Sequence, residues 1–85
     1  MVTVYDVRIG LSNNATLADI RKLKDHFKAL KIDAIGLDPN DFKPRAEELS
    51  FTIYGDFGPF MMKRMVTDCT ENIFPGSNIG LSHNV

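Results

Sequence analysis

Cys69, His26 and His83 are the side chains best suited to hold a soft metal or to attack an electrophile. Their positions follow no zinc-ligand spacing. Cys69 falls on the apolar side of a helical pattern, where a buried structural thiol is expected. His26 borders an apolar stripe, and His83 lies in the closing His83-Asn84-Val85. No serine or cysteine stands at a spacing that would pair it with an activating base. Asp6 is a candidate metal carboxylate, but such a site needs convergent oxygen ligands, and no second acid can be placed beside it from the sequence. Gly55 and Gly58 could offer backbone amides to an anion; helix initiation accounts for both. The expectation is therefore no catalytic residue, no metal and no cofactor. What remains is recognition chemistry. Ser50, Thr52 and Tyr54 recur at every second position, Arg8 lies in an earlier alternating run, and Phe42 stands in an irregular stretch.

Bulk composition narrows the class further. The 85 residues are expected to form one domain over 1–85 with a single core. Hydrophobic residues make up 44% and charged residues 25%, as in ordinary globular domains. A net charge of −1 fits neither a polybasic nucleic-acid binder nor a strongly acidic mimic of one. One cysteine excludes an internal disulfide and suits a reducing, cytoplasmic compartment. Met1 to Asp6 has no basic segment, so no signal peptide is expected. No apolar run approaches the ~18 residues of a membrane span, so no membrane partner is expected.

Two alternating runs must position these groups. Thr3, Tyr5, Val7, Ile9 and Leu11 alternate with Val4, Asp6, Arg8 and Gly10, the period of a half-buried strand. Leu49, Phe51 and Ile53 alternate likewise with Ser50, Thr52 and Tyr54. Between them, Thr16 is an N-cap with Asp19 as a short-armed capping box. Leu17, Ile20, Leu23, Phe27 and Leu30 form one helical stripe that ends near Leu30 or Lys31. Its opposite face, from Arg21 to Lys31, is mostly basic and reads as a solvated surface. Ile32 to Leu37 is a short strand, and residues 38–48, with Pro39 and Pro44, are irregular. A second helix starts around Asp56 to Pro59. Phe57, Phe60, Met61, Met65, Cys69 and Ile73 are expected to face the core, with Met62 and Val66 flanking them and Met62 at the stripe's edge. Met-rich patches make adaptable contacts, although core filling is the favoured reading. Ser77 to Ser82 is a last strand.

The order strand, helix, strand, strand, helix, strand divides into equal halves. Ile35-Gly36-Leu37 and Ile79-Gly80-Leu81 follow Ile9 and Ile53 at the same separation. Two right-handed βαβ units joined this way give an α+β fold, a four-stranded antiparallel sheet with two helices on one face. This layout resembles the ferredoxin-like plait over nearly the whole chain. Val7-Arg8-Ile9-Gly10-Leu11-Ser12, followed by Thr16-Leu17-Ala18-Asp19-Ile20, also resembles the start of the RNA-recognition motif family, which stacks single-stranded bases on central-strand aromatics. Where that family has a basic residue, glycine and aromatics, this chain has Glu47, Glu48 and a lone outward Tyr54. Val4-Tyr5-Asp6-Val7 resembles the first strand of CRISPR-adaptation nuclease-like plaits, which implies a metal-ligating role for Asp6. Acylphosphatase-like enzymes share the fold, but Ser12-Asn13-Asn14 is a turn rather than their phosphate-cradling loop.

The expected function is a small non-enzymatic protein-binding regulator or inhibitor, similar in type and size to accessory proteins of phages and mobile elements that act on a host factor. Its contacts are expected at Tyr54, Phe42, Arg8, Ser50 and Thr52. The first and third strands should be central and the other two edges, so a homodimer could form by strand pairing. A single-stranded nucleic-acid-binding module is the alternative, and a metal-dependent nuclease using Asp6 the second alternative.

Overall fold

A computed structural model describes residues 2–11, 15–37 and 48–83. The elements are β1 (Thr3–Gly10), α1 (Leu17–Ala29), β2 (Asp33–Ile35), β3 (Glu48–Gly55), α2 (Pro59–Ile73) and β4 (Asn78–His83). They form a four-stranded antiparallel sheet in the order β2-β3-β1-β4. Both helices contribute to one core against one face of the sheet. This is the expected α+β plait, with β1 and β3 central and β2 and β4 at the edges.

The central strands follow from their period. Tyr5, Val7 and Ile9 of β1 and Leu49, Phe51 and Ile53 of β3 are buried, while Asp6, Arg8 and Ser50 between them are exposed. Ile9 pairs with Leu49, Val7 with Phe51 and Tyr5 with Ile53, so the two inward rows meet side by side. β1 also fixes the turn into α2. The Thr3 hydroxyl donates to the Phe57 carbonyl, and the Tyr5 hydroxyl donates to the Pro59 carbonyl at 3.1 Å. Each polar group in this partly buried corner thereby keeps a partner.

α1 begins where its cap predicts. The Asp19 amide donates to Thr16 Oγ1 at 3.2 Å, and the Thr16 amide donates to Asp19 Oδ2 at 3.1 Å. Ile20, Leu23 and Phe27 are buried and Leu30 half-buried; Leu17 is exposed. The helix ends in a Schellman motif: the Lys31 amide donates to the Lys28 carbonyl at 3.0 Å and the Ile32 amide to the Phe27 carbonyl at 2.8 Å. Lys31 therefore sits at φ 60°, the left-handed position that glycine usually fills. Lys31→Gly is expected to raise stability by about 0.5–1 kcal/mol, since relief of the Cβ clash outweighs the added unfolded-state entropy. An unchanged or lower urea midpoint would show that Lys31 bears no strain.

Two expectations need correction. In α2 the core residues are Met62, Val66, Cys69 and Thr70, with Met65 and Ile73 half-buried. Phe60 is 80% and Met61 55% exposed, whereas Met62 is fully buried. The helix is thus rotated from the expected phase. Gly55 explains why: a Cβ there would lie 3.3 Å from the Met62 sulfur and 3.2 Å from the Phe57 ring, so its absence makes room for both. β2 is shorter than expected, ending at Ile35 just before Gly36 with φ 88°, although Ile32 and Leu37 at its flanks are buried.

The echo between the halves extends to the order of the elements but not to their register. A register matching that of β2 with β3 would set Ser77 opposite Gly10. Asn78 stands there instead. A one-residue slip exchanges faces. Ile79 therefore turns toward the helices, while Ile35 turns outward and is 58% exposed.

Candidate functional site

The sheet face opposite the helices is the candidate site. Its period-two set is Val4, Asp6 and Arg8 from β1, Glu48, Ser50, Thr52 and Tyr54 from β3, Asp33 and Ile35 from β2, and Asn78, Gly80 and Ser82 from β4. The registers arrange these in rows. Asp33, Tyr54 and Val4 lie across one row, and Ile35, Thr52, Asp6 and Ser82 across the next. Tyr54 is thus flanked by Val4, with Ile35 as its diagonal neighbour on the edge strand. Such neighbours are within reach of an aromatic side chain. The result is a half-exposed aromatic and aliphatic strip at the β2 side of the face.

Two of the charges beside that strip, Asp6 and Arg8, have partners. Thr52 Oγ1 donates to Asp6 Oδ1 at 2.9 Å, directly across the strand pair. Arg8 Nε lies 3.9 Å from Glu48 Oε1, a diagonal ion pair between largely exposed side chains. Exposed pairs of this kind contribute at most about 1 kcal/mol, but this one offsets the charge of Arg8. Among the described residues Arg8 is the face's one cation, against Asp6, Asp33 and Glu48. A phosphate backbone would meet an acidic surface there.

Sequence periodicity correctly places Arg8, Ser50, Thr52 and Tyr54 on one face, and the registers bring them together. Phe42 lies outside the described residues. Periodicity misses Asp33 and Ile35, because a three-residue strand carries too few alternations to fix its phase. The outward Ile35 follows only once the β2–β3 register is known.

The other chemically active groups lie apart. Cys69 is buried on α2, where burial, and secondarily the Asp68 carboxylate, push its thiol pKa up. A thiol in that state is a poor nucleophile. The His83 ring lies 5.1 Å from the Tyr5 ring at the sheet's end. Among the described residues no three His, Cys, Asp or Glu side chains are grouped to share a metal ion. No described helix is long and apolar enough to cross a membrane.

No protein-family model matches the chain, and no curated protein or solved structure matches it.

Proposed function

We propose that this chain is a small non-enzymatic protein-binding regulator or inhibitor that covers a partner's surface with its open sheet face. The observation that carries this reading is the strip of Ile35, Tyr54 and Val4 beside charges that already have partners, Asp6 with Thr52 and Arg8 with Glu48. An aromatic anchor with a polar rim is the composition of a protein contact, and tyrosine is enriched among residues that dominate binding energy. The acidic balance of the face favours a protein over a nucleic acid. A reduced, buried Cys69 suits a cytoplasmic protein. Small size and a recognition surface without a reactive thiol suit an accessory protein of a phage or mobile element directed at a host factor. The fold itself implies no function.

Capture from a lysate of the native host, with and without nuclease, tests the reading. Tyr54→Glu is expected to lower the thermal transition only modestly, because Tyr54 faces away from the core and the new carboxylate meets Asp33 on the exposed face. It should weaken the captured protein's affinity by about 30-fold or more, the loss of a hot-spot tyrosine. Capture that survives nuclease and fails in Tyr54→Glu supports the proposal. Binding that Tyr54→Glu leaves intact would move the contact elsewhere. Capture abolished by nuclease would replace the proposal with the nucleic-acid reading.

A further inference from the structure

We infer that the β4 edge and the adjoining flank of α2 form a two-fold interface with a second copy of this chain. The two edges of the sheet are guarded differently. β2 is three residues long and carries Asp33. β4 runs six residues, Asn78-Ile79-Gly80-Leu81-Ser82-His83, with no proline, lysine, arginine or acid. Edge strands are normally protected by charge, proline or brevity, and β4 has none of these. Its helix-side residues Ile79 and Leu81 are only half-buried. They line a groove of about 380 Å³ between β4 and α2, completed on the helix by Lys63, Thr67 and Glu71.

Those three helix residues identify the occupant. They recur every four positions along one flank of α2, with Lys63 and Glu71 equidistant from Thr67. At 1.5 Å per residue the two charges stand about 12 Å apart, too far to pair within the chain. Neither has an ion-pair partner among the described residues. Glu71 also lies in the last turn, where the macrodipole disfavours an acid, so helix stability does not explain it. An antiparallel two-fold through Thr67 sets Lys63 of each copy beside Glu71 of the other, twice. Thr67 can be buried on that axis at little cost, because its hydroxyl already donates to the Lys63 carbonyl at 2.8 Å.

The same axis serves the strand. α2 and β4 are joined by a short antiparallel turn, so Thr67 lies beside the middle of β4, near Gly80. Antiparallel pairing centred there sets Ile79 opposite Leu81 of the second copy and opposes no like charges, since β4 carries no acid, lysine or arginine. The sheet continues across both copies, with the half-covered Ile79 and Leu81 sheltered between the two α2 helices. This interface leaves the Tyr54 strip free, so it stands independently of the partner-binding reading.

Sedimentation of the full chain across a concentration series, with charge-swap variants, tests the interface. The wild type is expected to dimerise reversibly. Lys63→Glu and Glu71→Lys should each weaken the dimer by roughly tenfold or more, because each sets like charges together at two symmetric places. Neither change should unfold the monomer: both residues are exposed, and a lysine at position 71 suits the last turn of the helix. The double variant Lys63→Glu with Glu71→Lys should restore dimerisation. A chain that stays monomeric at all concentrations, a dimer indifferent to the single swaps, or a double swap that fails to restore it would each overturn the interface.

Discussion

Phe27→Ala is expected to destabilise the domain by about 3–5 kcal/mol, the usual cost of emptying a buried phenylalanine site. Phe27 is fully buried at the end of α1. Its ring centroid lies 5.9 Å from that of Phe51 on β3, tilted by 49°. Its carbonyl receives the Ile32 amide that closes the helix. One residue thus joins the end of α1, the approach to β2 and the centre of the sheet. Small domains have about 5–15 kcal/mol in all, so this single truncation removes a large share. In urea the midpoint should fall with little change in slope, as expected when native packing alone is altered. Phe51→Ala and the double variant should reveal a coupling of about 0.5–1.5 kcal/mol for the ring pair. A loss below about 1 kcal/mol for Phe27→Ala would mean that the α1 stripe does not meet β3 as described.

Legibility in the sequence tracks the strength of each periodic signal. β1 and β3 alternate over eight residues each, enough to assign every side chain to a face, so the alternation alone places Arg8, Ser50, Thr52 and Tyr54. The α1 boundaries rest on chemistry specific to one position, the Thr16–Asp19 box. The pairing of the open-face charges was not legible. That Asp6 meets Thr52 and that Arg8 reaches Glu48 depends on the β1–β3 register, a long-range property of the sheet. The outward face of Ile35 depends on register in the same way. Its likeness to Ile79 is a likeness of sequence, and a one-residue difference in register sends the two isoleucines to opposite faces. The extra aliphatic surface beside Tyr54 is the consequence, so the asymmetry between the halves is what builds the candidate site.

The phase of α2 was hidden by an excess of signal, and it yields the sharpest expected contrast between neighbouring residues. Phe57, Phe60, Met61, Met62, Met65 and Val66 supply apolar side chains on nearly every side, so hydropathy alone allows several stripes. The sheet selects among them. Gly55 leaves a space that the Met62 sulfur occupies, and Val66, Cys69 and Thr70 follow on the same face. Met62→Lys should therefore abolish cooperative folding, with an expected cost above about 4 kcal/mol for an ammonium forced into the core. Met62→Leu, which nearly conserves volume, should cost less than about 1.5 kcal/mol. Phe60→Lys and Met61→Lys should each change stability by no more than about 0.5 kcal/mol, as exposed substitutions do. Thermal melts followed by circular dichroism distinguish these outcomes directly. If Phe60→Lys proved the disruptive change and Met62→Lys the silent one, α2 would be rotated. Lys63, Thr67 and Glu71 would then leave the groove beside β4, and the two-fold interface would lose its charge pairing. The helix phase therefore bears on both the stability of the fold and the surface through which two copies would meet.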